Sequence, residues 1–346
     1  MLNDRFNPLS EFEVIFLGDC SNKLRRSYAR LEALKIILPN SKFVEVNWNP
    51  ENVFLKFIFK IYLKFSLSFL APWYLLLKAL FKKNVVIWID NFPIFNKTSI
   101  KIFKFLKPNI KIIFVSEDNF LLPHNFGKLH LPLLKHYDFI FTTKDFILKK
   151  LNHMNNVFKF HDSFDSRFIK PKHTNVACET HKQKNLDVTF IGTYEEDRYK
   201  YLYFLAENNI KVNIFGSDWP ENPHQNLIMH PPVYGLGYEE IIKSSKINLI
   251  FLRKSNHDTI TSRSYEIPYF NSFFLAENST DHNELYENQE VLFSSCDDLL
   301  LKINLWMNRP EHVLDKAAQV LFEKIRILDR SIFNETRKII MKVKET

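Results

Sequence analysis

Between Asp258 and Glu284 the chain reads D-T-I-T-S-R-S-Y-E-I-P-Y-F-N-S-F-F-L-A-E-N-S-T-D-H-N-E. Two acids, Asp258 and Glu266, stand eight positions apart, and Thr259, Thr261, Ser262, Arg263 and Ser264 lie between them. A third acid, Glu284, follows an apolar, strand-like segment. Hydroxyls and a guanidinium beside paired carboxylates suit a diphosphate flanked by hydroxyl-rich sugars. The cation and the donors take the phosphates, and the carboxylates accept from sugar hydroxyls. Thr261, Ser262 and Arg263 are expected to open a helix, where backbone N–H groups are free for the same anion. The plainer reading of T-x-T-S-R-S is a helix N-cap followed by a surface arginine.

Two strand–turn–helix openings have to position such a site. The first is Phe12–Asp19 with Gly18 at its end, followed by the helical pattern Leu24–Leu38. The second is Asp187–Tyr194 with Gly192, followed by Glu196–Asn208. Further apolar runs at Lys42–Asn47, Val85–Ile89, Ile110–Val115, Phe139–Thr142, Lys211–Phe215, Ile247–Leu252 and Phe273–Ala276 read as strands of parallel α/β sheets. The chain has only six glycines. Gly18, Gly192 and Gly216 each follow a predicted strand, the edge at which α/β sheets bind ligands and where glycine lets backbone approach a phosphate. Neither opening is a G-x-G-x-x-G, so the dinucleotide fingerprint is missing. The polar, aperiodic stretch 168–185 is the expected linker, and 310–344 reads as helix with an interruption near 328–331.

At 346 residues and 46% hydrophobic content the chain supports two domains with real cores. Its net charge of +8 favours anionic partners, although a Lys-, Asn-, Ile- and Phe-rich composition produces the same charge without a binding surface. Cys20, Cys178 and Cys296 are far apart, which argues against a disulfide framework or a cysteine metal site. No signal pattern opens the chain, and a cytoplasmic location is expected. Residues 53–83 are strongly apolar but carry Lys56, Lys60 and Lys64 at four-residue spacing, and Pro72 splits them. Two readings stand: helices resting on an anionic membrane, or helices covering a sheet with their lysine stems along the apolar surface. Nucleic acid is excluded as a partner, because the densest basic region is too apolar.

The segments V-T-F-I-G-T-Y-E-E-D-R (188–198), V-N-I-F-G-S-D-W-P (212–220), T-S-R-S-Y-E-I-P-Y-F-N-S-F-F-L-A-E (261–277) and H-N-E-L-Y-E (282–287) resemble the C-terminal domain of CgeB-like glycosyltransferases of group-1 type. In the first half L-G-D…R-L-E-A-L (17–34), V-S-E-D-N (115–119), H-Y-D-F-I-F-T-T-K (136–144) and F-D-S-R-F-I-K-P (164–171) are similar in order and kind. The resemblance implies an α/β GT-B fold: two Rossmann-like domains facing across a cleft, with the last helix returning to the first. It implies residues 1–172 as the acceptor domain, 186–328 as the nucleotide-sugar domain and 329–346 as the returning helix. Sugar would pass from a nucleotide-sugar co-substrate to a glycan or lipid-linked acceptor, without a metal or other cofactor. The family's paired acids map onto Asp258, one methylene shorter than glutamate, and Glu266, expected at the ribose hydroxyls.

Further candidates stand beside that mapping. Arg198 follows Gly192 and Thr193 and could reach the diphosphate, or lie in solvent among Glu195, Glu196 and Asp197. Tyr234, before Gly235, is placed against the nucleobase. Asp19 and Glu117 end strands of the first half and are candidate catalytic bases; Asp118 and His161 lie nearby in the same reading. His124, His130 and His136 recur every six residues, which is not metal-ligand spacing. A non-catalytic sugar-nucleotide-binding module of the same fold is the alternative function.

Overall fold

A computed structural model describes residues 12–47, 84–91, 97–125, 131–168, 184–221, 224–287 and 290–345. The chain divides into two compact units, Met1–His161 with Ile332–Thr346, and Asp162–Ser331. Residues 53–83, to which the membrane expectation applies, lie outside the described residues. Among the described residues no helix is long and apolar enough to cross a membrane.

The first unit holds β1 (Phe12–Gly18), β2 (Lys42–Asn47), β3 (Asn84–Asp90), β4 (Lys111–Ser116), β5 (Phe139–Thr142) and β6 (Val157–Lys159). They form one parallel sheet in the order β2-β1-β3-β4-β5-β6. The strands are near-continuous apolar runs, as strands covered on both faces must be. Ile15, Phe16, Leu17, Ile87, Trp88, Ile89, Ile113 and Phe114 are all fully buried. Helices α1 (Arg26–Ile37), α2 (Lys97–Leu106) and α3 (Asp145–Lys150) accompany them.

The second unit repeats the plan with β7 (Leu186–Ile191), β8 (Val212–Phe215), β9 (Leu227–His230), β10 (Ser245–Ile250), β11 (Phe274–Glu277) and β12 (Leu292–Phe293), all parallel in the order β12-β11-β10-β7-β8-β9. Its helices are α4 (Glu196–Glu207), α5 (Gly235–Lys243), α6 (Arg263–Tyr269), α7 (Thr280–Tyr286), α8 (Cys296–Met307) and α9 (Glu311–Leu328). This is the doubly wound order of nucleotide-binding sheets, and it reverses direction between β7 and β10. The first sheet reverses between β1 and β3. A crevice outside the strand ends opens at such a reversal, so the topology singles out the loops after β7 and β10.

The last helix, α10 (Ile332–Lys344), belongs to the first unit, where Ile339 and Ile340 are buried in the core that also holds Leu31 and Leu34 of α1. The division falls at His161–Asp162, before the 168–185 stretch, of which 169–183 lie outside the described residues. Phe164 explains the difference. It is 1% exposed, packs tilted against Tyr269 at 4.6 Å, donates its N–H to the Arg330 carbonyl at 3.0 Å and bridges Ser331. Ser163 and Phe164 are therefore buried in the second unit.

Candidate active site

The loop after β7 carries Gly192, Thr193 and, one helical turn later, Arg198. Gly192 and Gly216 are required by each other. Gly192 donates its N–H to the Phe215 carbonyl at 2.9 Å and accepts at its carbonyl from Trp219 Nε1 at 2.9 Å. A Cβ on Gly216 would lie 1.9 Å from the Gly192 oxygen, so only glycine allows the two loops to touch. The Gly216 N–H donates to His230 O at 3.3 Å. The expectation that these glycines offer backbone N–H groups to phosphate is corrected: both amides are already bonded within the protein.

The cation in this loop is Arg198. It is 5% exposed, so the solvent-exposed reading is excluded. Its Nη1 donates to the Thr193 carbonyl at 3.1 Å, and its guanidinium lies 5.8 Å from the Phe190 ring centre. Burial pushes its pKa down; Glu195 and Asp258 oppose the shift, while Arg263 and Arg253 add to it. Arg253 and Arg263 thus act on Arg198 as like charges, opposed by the two acids Glu195 and Asp258. Arg253 pairs with Glu195 at 3.0 Å. The Nε of Arg198, the Nε of Arg263 and the hydroxyl of Thr261 are buried, with no hydrogen-bond partner among the described residues. A buried donor left unpaired costs about 1–3 kcal/mol, so three of them around one group of cations point to an anion.

The segment from Asp258 to Glu266 crosses the end of β10 and enters α6. Asp258 accepts from Asn256 Nδ2 at 2.8 Å, and its N–H donates to Arg253 O at 3.1 Å. The expected free amides of the first turn are in part taken: Ser264 N–H donates to Thr261 O at 3.0 Å and Tyr265 N–H to Ser262 O at 2.9 Å. Ser262 makes no side-chain cap, so the N-cap reading of this serine fails as well. The Thr261 amide is also taken, by Ser264 Oγ at 3.3 Å, so the side chains of Thr261 and Arg263 stand beside the remaining first-turn amides as donors. Glu266 accepts from the buried Tyr238 hydroxyl at 2.8 Å through Oε2. That bond fixes the carboxylate and, with nearby Arg263 acting against it, burial and Glu266 push the Tyr238 pKa well up. Tyr238 therefore stays a phenol donor at neutral pH. Tyr234 is 68% exposed at the N-terminus of α5, beside Gly235 at φ 57°.

Glu284 is exposed on α7 and departs from its expected place among the donor-site residues. The residue of that segment that reaches α6 is His282, which sequence reasoning passed over. His282 is fully buried, with Nδ1 2.6 Å from the Glu277 carbonyl and Nε2 2.8 Å from Ser264 Oγ. A carbonyl only accepts, so Nδ1 carries the proton and Nε2 accepts from Ser264. Burial lowers the His282 pKa to about 4, which keeps the ring neutral. Ser264 Oγ in turn accepts from the Thr261 N–H at 3.3 Å, and Tyr286 donates to Ser264 O. Thr259 is held by Asp281 at 2.5 Å. Helix α7 thus clamps the hydroxyl segment from behind. The only sequence signal was a histidine within an otherwise polar helix start.

In the first unit, Glu117 is not placed as a base. Its carboxylate receives Arg26 Nη2 at 2.7 Å and Arg30 Nη2 at 2.6 Å, and Arg30 Nη1 bonds Asp90 at 2.6 Å. Ser27 adds a bond to Asp90 at 2.8 Å. Burial raises the Glu117 pKa, but Arg26 and Arg30 outweigh it and hold it below the ordinary carboxylate value. A base so depressed and so fully bonded is a poor proton acceptor. Asp19, at the end of β1, is 8% exposed, bonds the Ser21 hydroxyl at 2.6 Å and pairs with Arg25 at 3.2 Å. Beside it, burial and then Asp90, Glu45 and Asp19 push the Cys20 thiol up to about 12, despite Lys35 acting the other way, so it is not a nucleophile. Among the described residues no three His, Cys, Asp or Glu side chains converge as metal ligands.

Residues 198–329 match the family described as glycosyl transferase-like. No curated protein sequence matches the chain. Among solved structures it is similar to the N-terminal domain of trehalose-6-phosphate phosphatase from Candida albicans, at 12% identity and a TM-score of 0.65 over 97% of both chains. It is similar to a UDP-forming α,α-trehalose-phosphate synthase from Burkholderia xenovorans, at 8% identity and TM-score 0.63, covering 96% of this chain and 98% of that one. An α-glucosyltransferase solved with UDP-glucose and DNA matches at 12% identity and TM-score 0.62, covering 95% and 99% of the two chains. At such identities the likeness establishes the fold alone, which is GT-B. The matched family segment begins at Arg198 and includes Asp258, Thr261, Arg263 and Glu266. The chain is a GT-B-fold protein whose second unit carries a glycosyl transferase-like sequence.

Proposed function

We propose that the chain moves a sugar from a nucleotide-sugar to a glycan or lipid-linked acceptor in cell-surface polysaccharide or glycoconjugate assembly. One observation carries the donor half: the buried, unpaired Arg198 Nε, Arg263 Nε and Thr261 hydroxyl at the sheet's reversal point. A diphosphate there supplies the missing acceptors and neutralises the guanidiniums. As the sugar–phosphate bond breaks, negative charge grows on the leaving diphosphate, and fixed cations stabilise it without a metal. Glu266, oriented by Tyr238, is assigned to the ribose hydroxyls and Tyr234 to the base. Asp258 is assigned to the transferred sugar, with Thr193 and Ser262 lining its approach. The matching transferase structure solved with UDP-glucose supports a nucleotide-sugar as the donor class. Asp19 is the first-unit carboxylate assigned to the acceptor hydroxyl.

The non-catalytic alternative keeps its specific support in Glu117, a strand-end acid withdrawn from chemistry by two arginines. Turnover separates the two. A panel of nucleotide-sugars is incubated with the full chain and free nucleoside diphosphate is measured. Release from one donor, lost in Arg263→Ala, supports transfer. A donor that binds but is never cleaved, with any glycan or lipid-linked acceptor supplied, leaves the binding module.

A further inference from the structure

The first unit has a second charged feature, at the opposite edge of its sheet from Asp19, Asp90 and Glu117. Those acids follow strand ends, whereas Lys111 opens β4 and Phe139 opens β5. Around these strand starts lies a shallow, open cavity of about 550 Å³, lined by Lys104, Lys111, Lys135, Tyr137, Asp138 and Phe158 among others. Lys97, Lys101 and Lys104 share one face of α2 by their helical spacing. Only Lys104 meets a carboxylate there, Asp138 at 2.9 Å, and the other Asp138 oxygen already accepts from the Ile112 N–H at 2.8 Å. Lys97, Lys101, Lys111 and Lys135 form no ion pair among the described residues.

Two neighbours register the resulting field. His136, in the turn with Lys135, has its pKa lowered by burial and then by Lys135, Lys101, Lys97 and Lys104, so all four ammoniums act on it in the same sense. Tyr137 is 2% exposed and stacks on Phe114 at 5.3 Å, yet its hydroxyl is buried with no hydrogen-bond partner among the described residues. Like charges gathered round a cavity repel one another, and an unpaired buried phenol adds to the cost. One kind of ligand relieves both: a compact polyanion with several acceptor oxygens and no donors of its own.

We propose that this lysine-lined cavity binds a phosphate-bearing ligand, either a free phosphate compound or the phosphate of a lipid headgroup. The ammoniums of Lys104, Lys111 and Lys135 meet the phosphoryl oxygens as point charges, with Lys97 and Lys101 widening the attractive field. The Tyr137 hydroxyl donates to the anion, and Phe158 gives the uncharged part of the ligand an aromatic wall. The site lies in the first unit and does not depend on the donor reading of the second.

The test compares the full-length wild type with Lys104→Ala/Lys111→Ala/Lys135→Ala. Inorganic pyrophosphate is titrated calorimetrically, and co-sedimentation is measured with phosphatidylcholine vesicles with and without phosphatidylglycerol. At least one probe binds the wild type, and the triple variant binds it roughly 100-fold less, from about 1 kcal/mol per lysine near an anionic surface. Pyrophosphate binding identifies a free phosphate as the source; binding to anionic vesicles alone identifies the headgroup. Any binding at Arg198 and Arg263 or through residues 53–83 is common to both proteins, so the fold-change is read with Arg198→Met/Arg263→Met present in both and on the component of vesicle binding that the triple variant loses. Should the triple variant fail to fold, Lys101→Glu/Lys135→Glu alters two exposed side chains and is held to the same outcomes. No binding of either probe, or equal binding by the variants, overturns the proposal.

Discussion

Replacing Arg198 by Met separates a binding arginine from a structural one. In the free protein the guanidinium is buried, makes a hydrogen bond to the Thr193 carbonyl at 3.1 Å and leaves Nε unpaired. Met keeps most of the volume and the apolar stem against Phe190. The lost bond contributes about 1 kcal/mol, and Thr193 is exposed, so water replaces the donor. Against that loss stands the removal of an unpaired buried donor, itself about 1–3 kcal/mol. Stability should therefore change by less than about 1 kcal/mol, or rise. A charge-assisted bond to a diphosphate contributes about 1.5–3 kcal/mol, so nucleoside diphosphate affinity should fall roughly 10- to 150-fold. Urea unfolding measures the first quantity and isothermal titration the second. A large loss of stability with unchanged nucleotide affinity would falsify the assignment and make Arg198 a core element.

The other expectations concern the supports of the site. Gly216→Ala drives a methyl into the Gly192 carbonyl and should cost about 3 kcal/mol in urea unfolding. Glu117→Gln leaves Arg30 buried with a weakened partner and should cost about 3 kcal/mol of stability; a catalytic role predicts lost turnover with stability intact. Since the folded Glu117 pKa lies below its unfolded value, its contribution is present above pH 4.5 and lost as pH falls through the folded value. His282 acts in a higher window. Its folded pKa of about 4 lies below the ordinary 6.5, so stability is complete above 6.5 and drains away as pH falls towards 4. The loss over that window is about 3 kcal/mol, and His282→Gln should flatten the pH–stability curve there.

Most of the sheet framework was legible because parallel strands covered on both faces are apolar runs ending in turns. Phe139–Thr142 and the start of Glu196–Glu207 fall where the pattern puts them, and the break near 328–331 becomes the left-handed Asp329 between α9 and α10. The short strands β6, β9 and β12 were missed; two to four residues are too few to show a period. In the second unit, the candidate donor segment around Arg263 could be picked out from residue types, since its members are close in sequence. They could not show that the Nε of Arg198 and of Arg263 would be buried without a partner. In the first unit, Glu117 looked catalytic because its partner Arg30 lies 87 positions away, beyond any local pattern. The Gly192–Gly216 contact was hidden for the same reason. Each glycine alone resembles a phosphate loop, and only the fold shows the second glycine touching the first.

Arg198, Arg263 and Thr261 are proposed to form a diphosphate site. That assignment is tested most directly by thermal unfolding of wild type and Arg198→Met/Arg263→Met with UDP, GDP, dTDP and CMP. At least one nucleoside diphosphate should stabilise the wild type, by about 2.7 kcal/mol at 100 times its dissociation constant, and leave the double variant unmoved. No stabilisation by any nucleotide, or equal stabilisation of both proteins, would contradict it.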